Sequence, residues 1–426
     1  MNEEITKARK QNLKLYAMYR AISLDLIFYY AIEYLFLTEV KHLNPSSVVL
    51  GSAFYATFMV ILQIPASVVV DRVGTKRCTV IANIFNMIFI FLVLNTSNLQ
   101  TLILAQFVSS LCFSLKNVSD KALIQYTIPE TRKKGEIFSK LEGEGTKNYY
   151  IINAITSLLS GFLYIVNPYA PMVCSLLVAA LATFISLGFV DIQELKHEKA
   201  EKKKTTEYFS ELKDVLKFII NSQRLRSLFL YSGICWGIYN LVNTYRSSLL
   251  VDINVPPELI TAIAAIAGIA SAIGSKQQLR IHKKFRNKSL SLLLIILTIG
   301  ILVAGIVGIF NISYAIAVAI VTICYIFINF AKGVYEVLTS RYLSNFTTEK
   351  ELTQIYAIDE TCRNGLRAIL GFLGSYLLEI TSAANSLILV GIMMVIITCS
   401  LISYMKTRLG LKPDEYAESE IKIKRM

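Results

Sequence analysis

Twelve stretches of about 20 mostly apolar residues dominate this chain, and a run of that length is what an α-helix needs to cross a bilayer. They fall at approximately 14–38, 46–70, 77–96, 99–124, 145–167, 171–190, 226–250, 257–279, 289–310, 313–340, 353–379 and 384–405. The breaks between them carry turn chemistry: Asn44-Pro45, Asn95 to Asn98, Asn167-Pro168, Pro256-Pro257 and Asn311. Composition agrees. The chain is 54% hydrophobic and only 17% charged, against roughly 25% charged in soluble domains. Disorder, a coiled coil and a secreted disulfide scaffold are excluded. The expected fold class is an all-α membrane protein with twelve transmembrane helices in two six-helix bundles. The expected domains are 1–190, a cytoplasmic linker over 191–225 with an amphipathic helix, and 226–426 with a C-terminal tail.

The sequence holds 43 Lys and Arg against 30 Asp and Glu, a net +13. Such a balance points to nucleic acid when the charges form a patch, but here topology accounts for them. With twelve spans, 35 basic residues fall on one side together with both termini, and Lys41 alone falls on the other. The remaining seven lie inside the spans. Basic loops stay in the cytoplasm, so both chain ends are expected there, facing the headgroups of the plasma membrane. The expected partners are the lipid bilayer and a small solute, with no nucleic acid and a monomeric state. The first segment starts too late for a cleaved signal peptide and has no small-residue site after it, so Met1 is expected to remain.

Chemistry on the chain itself is hard to assemble. The seven cysteines lie in or beside apolar runs and form no C-x-x-C pair, as expected of small buried hydrophobes. His42, His197 and His282 read as loop or tail residues, which gives neither a metal site nor a nucleophilic triad. No glycine-rich phosphate loop occurs. The expectation is a protein that is not an enzyme, has no cofactor and no metal, and draws on an ion or solute gradient.

Internal repetition narrows the class. Residues 191–225 form a charged linker in which Phe209, Leu212, Val215, Leu216 and Ile219 recur at helical spacing. Such a stretch either lies flat on the inner leaflet or is a solvated linker. On each side of it six spans remain. A short basic turn follows the second span of each half, SVVVDRVGTKR at 67–77 and GSKQQLRIHKKFRNK at 274–288. Matching halves of this kind indicate a parallel-repeat transporter.

The first of those turns carries a resemblance. Asp71-Arg72-x-Gly74-x-Lys76-Arg77 resembles the loop 2–3 signature of the major facilitator superfamily, with Ser67 in place of its opening glycine. The resemblance implies a latch in which Asp71 pairs with basic groups and helix ends, and Gly74 permits a tight turn. The arginine of the superfamily's drug antiporters is replaced in span four by Gln106, and span five, with Gly161, lacks their Gly-Pro pattern. The first span is similar to those of bacterial efflux-type members, which implies a bacterial inner membrane.

Ionisable groups inside a span are costly unless paired or hydrated, so each is a site candidate. Asp25, beside Ser23 and Tyr29-Tyr30, lies mid-span. Glu33 follows at i+8 on the same helical face. Either group serves to exchange a proton or bind a cation, or forms a fixed pair with a base such as Lys116. Span four places Lys116 and Asp120 at i,i+4, where they can neutralise each other. Span five opens with Glu142, Gly143, Glu144, Gly145 and Lys147, where the two glycines would let helices approach and the acids suit a gate. Span seven reads WGIYNLVNTYR, with Trp236, Tyr239 and Asn243 near one face and Asn240 beside it. Lys332 and Glu336 follow in span ten, and Asp359, Arg363 and Arg367 form a stripe in span eleven. Asp71, Arg72, Gly74, Lys76, Arg77, Asp120, Glu142, Glu144 and Asp359 are the expected cytoplasmic gate. Asp25, Tyr29, Glu33, Lys116, Trp236, Tyr239, Asn240, Asn243, Lys332, Glu336, Arg363 and Arg367 are the expected cavity, with acids in the first half and bases in the second. They form either a bipolar solute site or a set of self-pairs. The functional expectation is proton-coupled efflux of a drug or an amphipathic, peptide-like metabolite by alternating access. Import of an anionic nutrient through Arg363 and Arg367, and an uncoupled lipid flippase, are the alternatives.

Overall fold

A computed structural model describes residues 2–129, 134–195, 217, 221–285, 288–310, 312–346 and 349–406. Every regular element among them is helical. The order is α1 (Asn2–Ser23), α2 (Tyr29–Leu35) with a π-helical turn (Phe36–Val40), α3 (Pro45–Val73), α4 (Thr75–Leu94), α5 (Leu99–Thr127), α6 (Lys134–Val166), α7 (Ala170–Leu187) and α8 (Ile192–Leu195). Then follow α9 (Gln223–Asp252), α10 (Pro257–Phe285), α11 (Ser289–Ile309), α12 (Tyr314–Phe346), α13 (Glu349–Ile380) and α14 (Ala383–Lys406). The turn residues act as the sequence predicts. Asn98 accepts a hydrogen bond from the Thr101 N–H at 2.9 Å while the Thr101 hydroxyl serves the Asn98 N–H, a capping box that starts α5. The amphipathic stretch expected over 209–219 lies, Lys217 apart, outside the described residues.

Nine of the described helices are long and apolar enough to cross a membrane. The predicted spans that fall short are the first, the seventh and the eleventh. These three carry Asp25 and Glu33, Arg246, and Asp359, Arg363 and Arg367. Large apolar side chains point outward, with Leu177 64%, Phe184 74% and Ile396 65% exposed. Faces of that kind suit hydrocarbon, not water.

The chain forms two compact units. One comprises Met1–Leu43, Phe54–Thr205 and Pro257–Ala265. In it α4 packs on α5 and α7, and α1 on α6. The other comprises Asn44–Ala53, Thr206–Pro256 and Ile266–Met426, with α11 packed on α12 and α14 and α9 on α13. The two too-polar helices of the second unit, α9 and α13, therefore pack on each other. Gly233 and Gly237 make that approach close. A Cβ at Gly233 would sit 2.4 Å from Leu366 Cδ1, and one at Gly237 would sit 2.7 Å from Leu370 Cδ1 and 3.2 Å from Arg367 Cα. Two small residues four apart are what brings membrane helices together.

The structure corrects two expectations about helices. Span one is not continuous: it breaks at 24–28, and Phe28 takes a φ of 67°. Asp25 therefore lies in the break and Glu33 on α2, and the i+8 face they were expected to share does not exist. Local sequence offers no Gly or Pro to explain the break. Its freed carbonyls are taken by other helices, Ile27 by the Ser175 hydroxyl at 3.0 Å and Phe28 by Ser160 at 3.1 Å. His282 is not in a loop. It lies in the last turn of α10, buried, 3.2 Å from the Ser289 hydroxyl.

Candidate functional site

In the first unit, α4 and α5 build a sealed polar cluster. Lys116 and Asp120 are 3% and 0% exposed, yet they do not form the direct i,i+4 pair that their spacing suggests. The Lys116 ammonium donates to Asn83 Oδ1 at 3.0 Å and lies 5.2 Å from the centre of the Tyr19 ring. Asn83 Nδ2 donates to the Tyr19 hydroxyl at 3.0 Å, which in turn donates to Asp120 at 3.1 Å. The Thr79 hydroxyl donates to the same carboxylate at 3.2 Å. A lysine placed N-terminal to an acid is the poorer orientation of an i,i+4 pair, and the neutral groups of α1 and α4 bridge the gap. Sequence reasoning missed Tyr19, Thr79 and Asn83. Their signal was present: Thr79, Asn83 and Asn86 recur at i, i+4 and i+7 in an otherwise apolar span.

Asp25 sits half-buried at the break in span one, where its Oδ1 accepts the Leu26 N–H at 3.0 Å. Glu33 accepts from the Tyr29 hydroxyl at 2.9 Å, and the Tyr29 ring packs edge-on against Tyr30. At the basic turn, Gly74 has a φ of +98°, which a residue with a side chain adopts only under strain. A Cβ there would meet Asp191 Oδ2 at 3.3 Å, and the same oxygen accepts from the Thr75 hydroxyl at 3.2 Å. Asp191, the first residue of the expected linker, is a further residue the sequence reading missed. Asp71, Arg72 and Arg77 are exposed and Lys76 is half-buried. Of the span-five group, Glu144 is exposed and the side chain of Glu142 lies outside the described residues. Gly145 does meet another helix, at Arg20 Cγ 2.6 Å from a built Cβ, whereas Gly143 faces open space. Only one of the two glycines therefore marks a close approach.

The second unit gathers most of the remaining candidates. Trp236 and Tyr239 stack on α9 with ring centroids 6.4 Å apart. The Lys332 ammonium, from α12, lies 5.6 Å from the first centroid and 4.4 Å from the second, and 3.6 Å from Glu336. Arg363 pairs with Asp359 at 2.8 Å, donates through Nε to the Ser232 hydroxyl at 2.6 Å and lies over Tyr335 at 5.8 Å. Tyr239 donates to Asn329 Oδ1 at 2.6 Å. Asn240 spends its amide on the Trp236 carbonyl of its own helix, and Asn243 is half-buried on the next turn. Arg367 donates to the Ser52 hydroxyl at 2.8 Å, within the same unit. The side chains of Lys332, Glu336 and Arg363 keep 18%, 27% and 15% of their surface exposed. Trp236 Nε1, the Tyr335 hydroxyl and Asp359 Oδ1 are buried without a hydrogen-bond partner among the described residues. Two donors and one acceptor thus stand on α9, α12 and α13, the helices that also carry two ion pairs and two stacked rings. Such a surface suits a small solute with both polar and ring-like parts.

Solved structures of this architecture exist. The nucleoside transporter NupG is 13% identical, with a TM-score of 0.70 over 94% of this chain and 99% of its own. A POT family transporter in complex with 5-aminolevulinic acid is 12% identical, with a TM-score of 0.62 over 94% and 95%. A D-xylose-proton symporter is 12% identical, with a TM-score of 0.60 over 92% and 96%. At such identities the likeness carries the fold alone. No curated protein matches the sequence. The Major Facilitator Superfamily matches residues 20–330, and with its helical membrane fold this chain, a transporter of small solutes, belongs to that superfamily.

Proposed function

We propose that this protein is a proton-coupled secondary exporter of a small amphipathic or zwitterionic solute. It works as a monomer in the plasma membrane, by alternating access of its halves, with both termini in the cytoplasm. The observation that carries the reading is the wall of half-buried Trp236, Tyr239, Lys332, Glu336 and Arg363, with Asp359 buried beside Arg363, which offers a solute both signs of charge beside aromatic faces. A group that needs to load and release a solute has to remain reachable by water, and Lys332, Glu336 and Arg363 are. Asp25 and Glu33 supply the proton-exchange step, since Asp25 lies half-buried at a helix break. Asp71 to Arg77, with Glu142 and Glu144, supply the cytoplasmic gate.

Transport in inverted membrane vesicles with an imposed pH gradient tests this reading. A fluorescent amphipathic solute should accumulate in vesicles carrying the wild-type protein, and a protonophore should abolish that accumulation. Asp25→Asn should remove coupling while the protein still folds; unchanged pH-dependent transport in that variant takes Asp25 out of the mechanism. Accumulation confined to right-side-out vesicles would make the protein an importer. Movement of lipid alone, at a rate indifferent to pH, would make it a flippase.

A further inference from the structure

Arg246 is the cation the proposed site leaves unexplained. It is 5% exposed, inside the seventh span and five residues beyond Leu241 on α9. A long basic side chain near a helix end ordinarily snorkels to the headgroups, and this one does not. Its guanidinium lies over the Tyr325 ring at 5.7 Å from the centroid. That ring is fixed, because the Tyr325 hydroxyl donates to the Val242 carbonyl at 3.3 Å. No hydrogen-bond acceptor and no carboxylate among the described residues meets the guanidinium, and its Nε is buried without a partner. The other candidate cations of spans ten and eleven differ: Lys332 has Glu336, Arg363 has Asp359, and Arg367 has Ser52.

An unpaired buried charge is among the most costly arrangements a protein holds. Its planar fork of donors matches a carboxylate or phosphate with two parallel bonds. With one π-face on Tyr325, the in-plane N–H groups are left for that partner. Tyr239 precedes Arg246 by seven residues, two helical turns or about 10 Å along one face of α9. Both residues look toward α12, through Asn329 and Tyr325 respectively. We propose that Arg246 receives an anionic group of the transported solute, a carboxylate or a phosphate, while the ring-bearing part of that solute lies against Trp236 and Tyr239. This inference rests on the transport reading above and names the charged end of its solute.

The single tryptophan of the chain, Trp236, reports occupancy of that wall. Full-length protein in lipid-free micelles is titrated with benzoate, phenyl phosphate and neutral benzyl alcohol, and followed by Trp236 fluorescence and thermal shift. At least one of the two anions should saturate the signal and raise Tm, and benzyl alcohol should bind at least about tenfold more weakly, the factor expected of hydrogen bonds to a charged group. Arg246→Gln should abolish the anion response. It should also raise the Tm of the ligand-free protein, because an uncompensated charge is gone; a merely structural arginine would lower it. Arg246→Lys should weaken the anion by about tenfold through loss of the paired bonds. Failure of both anions to saturate, equal binding of benzyl alcohol, an undiminished anion response in Arg246→Gln, or a fall in its ligand-free Tm overturns the inference. So does a response given only by phosphatidylglycerol, which would make the anion a lipid headgroup. The readout is equilibrium binding, so a failure of proton coupling in vesicles leaves it standing, and its own failure leaves the coupling result intact.

Discussion

The two units solve one problem in opposite ways. Each places an acid and a base four residues apart on a helix inside the membrane. In the first unit Lys116 and Asp120 are sealed from water and joined through Asn83 and Tyr19. In the second, Asp359 and Arg363 touch directly at 2.8 Å, Lys332 and Glu336 stand 3.6 Å apart, and parts of both pairs remain exposed. Part of the difference is helix geometry. Asp359 precedes Arg363, the favourable order for an i,i+4 pair, whereas Lys116 precedes Asp120 and Lys332 precedes Glu336. The rest is the neighbouring helix. Beside Lys116 stand an amide oxygen that accepts its hydrogen bond and a phenol ring over which it lies; beside Lys332 stand the rings of Trp236 and Tyr239. Spacing sets the opportunity for an ion pair, and the packed neighbour decides whether it becomes a lock or a docking face.

The sharpest way to break the comparison is to remove the lysine from each. Lys116→Met removes the cation joined to buried Asp120 through Asn83 and Tyr19, and breaking a buried pair costs about 3–5 kcal/mol. Its Tm should fall steeply. Lys332→Met removes a partly exposed charge, worth about 0–1 kcal/mol to stability, so its Tm should stay near wild type while vesicle transport is lost. Thermal unfolding and transport measured on both variants decide the matter. A stable Lys116→Met protein, or an unstable Lys332→Met protein, would dissolve the distinction.

Much of the architecture was legible beforehand because a bilayer imposes length and polarity rules on any helix in it. The break at Asn98 and the basic turn at Gly74 follow from residues with strong local preferences. The break at 24–28 was not legible, because it depends on Ser160 and Ser175, more than 130 residues away. The candidate site was legible only for charges. Lys116, Asp120, Lys332 and Arg363 announce themselves as ions in apolar runs. Tyr19 and Asn83, which determine what Lys116 does, are ordinary residues until packing brings them together.

A second contrast lies in the glycines. Gly237→Leu pushes α13 away from α9, since even a Cβ there falls 2.7 Å from Leu370. Overpacking of this kind costs about 1–3 kcal/mol, and transport should fall with it because Trp236 and Arg363 belong to those two helices. Gly143 faces open space, so Gly143→Ala should be neutral or stabilise α6 by about 0.5–1 kcal/mol. Paired thermal-shift measurements check both. A tolerated leucine at 237 would show that α9 and α13 are free to separate.

The finest test compares two phenols. The Tyr19 hydroxyl accepts from Asn83 and donates to Asp120 in a fully buried site, so Tyr19→Phe leaves two buried groups short of a partner. Each such group costs about 1–3 kcal/mol. The Tyr239 hydroxyl makes one bond, to Asn329, and its residue is half-exposed. Tyr239→Phe should therefore cost only about 0.5–1.5 kcal/mol, and it keeps the ring that faces Lys332 at 4.4 Å. Attraction between a cation and a ring belongs to the π-face and not to the hydroxyl, so solute affinity should barely change in Tyr239→Phe, whereas Tyr239→Leu should weaken it. If Tyr239→Phe weakened binding as much as the leucine variant, the solute would be reading the hydroxyl, and the second unit would depend on the same hydrogen-bond logic as the first.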